Sequence, residues 1–339
     1  MNIYDYSIEQ LEQYFLEKGE KKFKATQVFE WLYRKRVTSF EEMTNLRKDL
    51  IASLNNDFII NRLKIVVKQS DVDVDKYLFE LDDGNKIEAV VMNHDYGRSL
   101  CISTQVGCNM GCHFCESGRL KKVRNLKTSE MVLQLLAIEQ DLNCRITHLV
   151  LMGIGEPFDN YDNVINFINI INHPKGIALG SRHITVSTCG IIPKIRQFIK
   201  DGKQVNLAIS LHASNDELRS SLMPINKVYK LTELIEVLKE YIKETNRRVT
   251  FEYILLDGIN DQKENALELA NLLKGINCYV NLIPYNETSY INLKKSDQKT
   301  ILNFFDVLKK NKINVTIRRE FGKNVSAACG QLRANHKEE

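Results

Sequence analysis

The stretch His148-Leu149-Val150-Leu151-Met152-Gly153-Ile154-Gly155-Glu156-Pro157, followed by a helical pattern over 161–171, holds the fold in miniature. An apolar, β-rich run ends in a glycine loop, and an amphipathic helix follows: one βα unit. The same sentence is repeated along the chain. β-rich runs recur at 100–103, 183–187, 205–210, 249–255 and 279–283, with a further one at 314–317. Helical patterns occupy 129–140, 231–244, 265–273 and 297–309 between them. Six or seven such units predict an α/β fold with a parallel sheet and helical crossovers. The count falls short of the eight strands of a closed barrel, so the spacing predicts a partial, open (β/α)6 barrel. In such folds ligands bind where the strands end and the βα loops emerge.

Upstream the period changes. Ser7 stands ready to cap a helix that carries Ile8, Leu11, Phe15 and Leu16 on one face. A second helical pattern over 26–36 carries Val28, Phe29, Leu32 and Tyr33, and a third covers 46–54. Strands are predicted at 64–68, 77–81 and 86–92, the last two joined across Asp82-Asp83-Gly84. The expected organisation is a helical module over 1–60, a β-meander over 61–95, the barrel over 96–332 and a polar tail over 333–339.

The chain has 339 residues, 43% hydrophobic and 27% charged, with five prolines and sixteen glycines, which excludes a disordered or collagenous chain. No apolar run approaches the roughly 20 residues of a membrane helix, and the start lacks the pattern of a signal peptide. A cytoplasmic location is expected, with no membrane partner. Four of the eight cysteines (Cys101, Cys108, Cys112, Cys115) fall close together. In a reducing compartment that clustering points to metal or redox chemistry rather than to stapling.

The loop after the first barrel strand reads Gly107-Cys108-Asn109-Met110-Gly111-Cys112-His113-Phe114-Cys115. Three thiolates on one short loop suit three corners of an iron–sulfur cluster and leave one iron open to substrate. A zinc shell completed by Cys101, or a chance grouping of core cysteines, stays open on spacing alone. Later strands end in Ser187-Thr188-Cys189-Gly190, Ser210-Leu211-His212 and Pro284-Tyr285-Asn286, which supply small polar groups on the same rim.

With Arg124-Asn125-Leu126, Met223-Pro224-Ile225-Asn226 and Ala328-Cys329-Gly330-Gln331-Leu332, these motifs resemble the radical S-adenosylmethionine (SAM) enzymes, and within them the RlmN/Cfr family of 23S ribosomal RNA adenosine methyltransferases. The resemblance runs over residues 20–332. It implies a [4Fe–4S] cluster on Cys108, Cys112 and Cys115, and SAM bound by Gly155, Glu156, Ser187, Ser210, Leu211, His212 and Asn286. It implies that Cys329 carries a methyl group as S-methylcysteine, that Cys101 resolves the protein–RNA crosslink as a disulfide with Cys329, and that Glu88 accepts a proton. Two SAM molecules, an external one-electron reductant and a thiol reductant are then required. The reaction adds a methyl to an electron-poor adenine carbon, which offers no nucleophile to a sulfonium and so calls for a radical route.

The RlmN branch methylates C2 of a 23S rRNA adenosine and of a tRNA adenosine; the Cfr branch methylates C8 and confers antibiotic resistance. Val106 and Pro157 resemble the C2 branch. Departures from the family pattern are Ile154, Glu116-Ser117 and the stretch 121–123, with Glu116 placing a negative charge beside the cluster loop. Cys144, Cys189 and Cys278 match no catalytic position and are expected in the core, with Cys189 beside the expected SAM pocket. A basic rim for RNA is expected from Arg119, Lys121, Lys122, Arg124 and Lys127, and from Arg318, Arg319 and Lys323, with Lys21, Lys22, Lys24 and Arg34-Lys35-Arg36 on the helical module. A reading of another class is a zinc-stabilised RNA-binding module without chemistry.

Overall fold

A computed structural model describes residues 1–288 and 290–319. Its N-terminal part is helical. Ile8–Glu17 forms the first helix, and Ser7 caps it in a reciprocal capping box with Gln10. Ile8, Leu11 and Phe15 are buried, whereas Leu16, expected on the same face, turns outward and is 44% exposed. The second helix, Phe23–Glu30, widens into one π-helical turn, Trp31–Lys35, and stops at Arg36, which is left-handed (φ 59°). Val28, Phe29, Leu32 and Tyr33 form its buried face as the periodicity predicts.

Strands β1 (Lys64–Asp71), β2 (Val74–Glu80), β3 (Lys86–His94) and β4 (Gly97–Ile102) form an antiparallel meander. Short β5 (Gln105–Val106) and β6 (Arg124–Asn125) pair beside the loop that follows β4. Strands β7 (His148–Leu151), β8 (Ile184–Thr188), β9 (Asn206–Ser210), β10 (Val249–Leu255), β11 (Cys278–Pro284) and β12 (Val315–Ile317) run parallel to β4. Meander and barrel form one ten-stranded sheet in the order β1-β2-β3-β4-β7-β8-β9-β10-β11-β12. The crossovers are the helices Thr128–Asp141, Tyr161–Asn172, Ile192–Lys200, Leu231–Thr245, Lys263–Leu272 and Gln298–Lys310. The third of these was missed by the sequence reading.

β1 and β12 are the two edges of this sheet among the described residues, so the barrel is open. It nonetheless curls back on itself: just beyond β12, Arg319 pairs with Asp73 of the β1–β2 turn at 2.7 Å, and Arg318 reaches Met92 of β3. Among the described residues no helix is long and apolar enough to cross a membrane.

Candidate active site

The carboxyl ends of β4 and β7 to β11 open onto one cavity of about 340 Å³, within the range of small-molecule sites. Cys108, Cys112 and Cys115 line it together with Gly155, Glu156, Ser187, Ser210, His212 and Asn286. Cys101 and Glu88 line it as well, from β4 and β3. Leu211 does not: its side chain is buried in the hydrophobic core, and only its backbone stands near the rim. Cys329 and Lys323 lie outside the described residues.

The three-thiol loop is held by its backbone. Gly107 sits at φ 78°, and a Cβ there would meet the carbonyl oxygen of Lys121 at 2.1 Å, so glycine is required. Burial pushes the Cys108 thiol up to about 12, and Cys112 and Cys115 rise for the same reason. The Cys115 N–H donates to the Cys112 carbonyl at 3.1 Å, and Cys115 raises both of the other thiols. Cys101 belongs to another group. Burial pushes it up to about 11, and the charges acting on it are Arg318, Lys76 and Glu88. Spacing alone could not make this separation of three thiols from the fourth.

Among the described residues, no three His, Cys, Asp or Glu side chains are arranged to hold a single metal ion. A cluster gives each thiolate its own iron, so one buried and two half-buried thiols on a single loop fit it without converging on one point. Metal binding would then release their protons.

The neighbouring loops are strapped to the cluster loop. Gln105 accepts the backbone N–H of Glu156 (2.9 Å) and donates to Asn125 and Asp159. Gly155 (φ 112°) packs so closely that a Cβ would meet Gln105 at 2.7 Å. The Glu156 carboxylate accepts the N–H groups of Cys189 (2.8 Å) and Phe158 (3.0 Å), joining the loops after β7 and β8; burial raises its pKa. Cys189 is buried and lines the cavity, not the general core, and packs in one apolar group with Cys112. Of the remaining two cysteines, Cys278 is buried and Cys144 only partly so.

His212 is left-handed (φ 57°), a conformation held by Asn260, which donates to its carbonyl at 2.9 Å. Its Nδ1 accepts the backbone N–H of Ile254 (3.0 Å), so the neutral ring carries its proton on Nε2. Burial, then Arg219, pushes its pKa down to about 3. Arg219 is itself fully buried, and donates to the carbonyls of Ser210, Leu211 and Cys189 and to Asn226. It ties the loops after β8 and β9 together and was not found from sequence. Its place in the helix Asp216–Leu222 reads as an ordinary surface charge.

The basic rim is corrected by the structure. Arg124 lies between Asp83 (2.6 Å) and Glu130 (2.7 Å), and Lys122 pairs with Asp159 (2.7 Å). Arg119 pairs with Glu116 (3.1 Å) and rests on the Tyr290 ring at 4.5 Å. Asp83 and Asp159, distant in sequence, and the nearer Glu130 therefore neutralise much of a run that looked cationic, and Arg119 offsets the charge that Glu116 places near the loop. Lys121 is exposed and forms no ion pair among the described residues.

At the other end of the cavity, Lys76 on β2 is 1% exposed and lies 3.3 Å from Glu88, itself 2% exposed. Glu252 on β10 is also buried there, accepting from Asn281 at 2.8 Å, and burial raises its pKa. Lys76 and Glu252 were missed by the sequence reading. Lys76 has Val74 and Leu78 two residues to either side, both buried, and a lysine in step with an apolar face was the available signal.

The ribosomal RNA large subunit methyltransferase N-terminal domain matches residues 1–60, and the radical SAM superfamily matches 102–270. A probable dual-specificity RNA methyltransferase RlmN of Streptococcus thermophilus is 52% identical, over 98% of this chain and 88% of that one. That of Acholeplasma laidlawii is 50% identical, over 99% and 100%. The crystal structure of a radical SAM methyltransferase from Sphaerobacter thermophilus superposes with a TM-score of 0.92 at 41% identity, over 99% of this chain and all of that one. With its α/β radical SAM fold and three-thiol loop, the chain belongs to the RlmN family of radical SAM RNA methyltransferases.

Proposed function

We propose that the protein methylates C2 of an adenosine in 23S ribosomal RNA and of an adenosine in transfer RNA, in the cytoplasm, through a methyl group carried on Cys329. The observation that carries this reading is the single cavity, lined both by the three-thiol loop and by Glu88 and Cys101.

Cys108, Cys112 and Cys115 would hold a [4Fe–4S] cluster, which when bound supplies the electron for homolytic cleavage of SAM. Around that place the chain offers what SAM's polar groups need. Gly155 leaves room for close approach, Ser187, Ser210 and Asn286 present hydroxyl and amide groups, and His212 presents an N–H fixed on Nε2. Glu156 braces the loops from beneath. The Leu211 contribution falls to its backbone.

Cys329 receives the methyl as a thiolate nucleophile, that methyl gives up one hydrogen atom to the adenosyl fragment of a second SAM, and its carbon then adds to the adenine. Glu88 accepts the ring hydrogen as a proton, and the one electron left over would return to the oxidised cluster, which leaves a closed-shell thioether between Cys329 and the RNA. Cys101 attacks the Cys329 sulfur, frees the methylated RNA and leaves a Cys101–Cys329 disulfide, which an external thiol reopens. A one-electron donor completes the list of partners. Val106 and Pro157 favour C2 over the C8 chemistry of the Cfr branch.

Mass spectrometry of nucleosides from treated rRNA and tRNA tests the reading. 2-Methyladenosine from both is expected, and 8-methyladenosine would overturn it. In Cys329→Ala, methylated nucleoside accumulating over many cycles would refute the carrier role. Anaerobically purified protein should be brown; colourless protein with one zinc would select the non-catalytic module.

A further inference from the structure

An ammonium buried as deeply as that of Lys76 costs several kcal/mol unless it is paired. Its place follows from register. Lys76 faces Val90 across the β2–β3 ladder, and Val90 faces Cys101 across the β3–β4 ladder. Side chains on one rung point to one side of a sheet, so Lys76 and Cys101 both enter the cavity, with backbones two inter-strand spacings, roughly 10 Å, apart. Glu88, two residues from Val90, projects from the same face and meets Lys76 on the diagonal at 3.3 Å. On this face Lys76 meets the Glu88 carboxylate directly, and the Cys101 thiol stands one strand further along the same rung, beyond Val90. The charged groups facing Cys101 are Lys76 from β2, Glu88 from β3 and Arg318 from beyond β12, and the backbone of Met152 hydrogen-bonds it from the β7 side. The two cations favour its thiolate and Glu88 opposes it.

We infer that Lys76 is a positioning residue that couples the two steps at this end of the cavity: ionised Glu88 offsets its charge, and once Glu88 has taken the adenine proton that charge favours the Cys101 thiolate. The inference rests on the roles proposed above for Glu88 and Cys101. It imposes an order, because Cys101 becomes a nucleophile only after the ring proton has left. In the resolving step the Cys101 proton goes to solvent and an S–S bond forms to Cys329. The bond from that sulfur to the methylene carbon breaks, and its electron pair takes up one proton to complete the methyl group. Two sulfurs are oxidised and one carbon is reduced, so the external thiol serves only to reopen the disulfide.

Alkylation of Cys101 by iodoacetamide, followed against pH by peptide mass spectrometry in the cluster-loaded full chain, reads the charge effect without RNA. Glu88→Gln keeps the shape and an acceptor for Lys76, and should react about tenfold faster at neutral pH, the effect of one pKa unit. Lys76→Met should react about tenfold slower, and Lys76→Arg should match the unaltered protein. A Glu88→Gln rate equal to or below that of the unaltered protein overturns the inference, whether or not Lys76→Met folds. With RNA in a single turnover, Lys76→Met should accumulate the protein–RNA adduct, released faster as pH rises. A Lys76→Met enzyme that delivers methylated RNA at the unaltered rate overturns the coupling. Turnover by Cys329→Ala would instead strike the proposed route itself, so the two failures are distinguishable.

Discussion

At one end of the cavity the reactive side chains come from a single loop, and Cys108, Cys112 and Cys115 are neighbours in sequence before they are neighbours in space. At the other, Lys76, Glu88 and Cys101 stand on three strands and meet only because the ladders are in register. The loop end is fixed by glycines and by side chains that hold backbone, such as Gln105 on Glu156. The strand end is fixed by a buried ion pair and by the alternation of faces. A loop can change its sequence and keep its shape if the glycines stay; a strand pairing cannot shift at all without turning its side chains outward.

The sharpest test of the contrast is Cys112→Ala. It should abolish methylation and strip the brown colour and bound iron, while thermal unfolding changes little, because the loop lies at the rim and not in the main core. Glu88→Ala should do the reverse, retaining iron but removing the buried 3.3 Å ion pair with Lys76. Breaking a buried pair costs about 3–5 kcal/mol, measurable by denaturant titration. A Glu88→Ala protein as stable as the unaltered one would erase the distinction between the two ends.

His212 gives a smaller, pH-dependent effect. Its folded pKa, about 3, lies below the usual histidine value, so between pH 6.5 and 3 the unfolded chain binds a proton that the folded chain does not. Stability from this source is complete above pH 6.5 and falls as the solution becomes more acid, by about 2 kcal/mol at pH 5. His212→Gln should lose that slope relative to the unaltered protein, as read by urea unfolding at pH 7 and pH 5. An unchanged difference between the two pH values would mean that the ring is protonated in the fold. The mildest expected change is Lys121→Glu, which should weaken RNA binding by about threefold to tenfold at low salt and less at high salt, with the cluster retained. Arg124→Glu should weaken folding as well, because it sets a carboxylate between Asp83 and Glu130.

The same contrast governs what could be read from the sequence. The βα alternation, the capping role of Ser7 and the three-thiol loop are local patterns, each complete within a few residues. Lys76 and Glu252 are single charges within strands, and Arg219 one within a short helix. Their meaning depends on which distant segment faces them, which no local pattern records. Charge misled for the same reason, since the partners of Arg124 and Lys122 include Asp83 and Asp159, remote along the chain. Glu88 and Cys329 were recognised by family resemblance, because nothing in their local spacing marks them.

The continuity of meander and barrel in one sheet bears on how this chain can vary over evolutionary time. Most surface connections tolerate added or lost residues, yet a single-residue indel within β3 or β4 would put part of the strand out of phase. Glu88 and the partner surface of Cys101 would then face opposite sides of the sheet, and no compensating substitution nearby could restore both. Length drift in lineages of this protein should therefore collect in the turns and outer helices, and leave this pair of strands untouched.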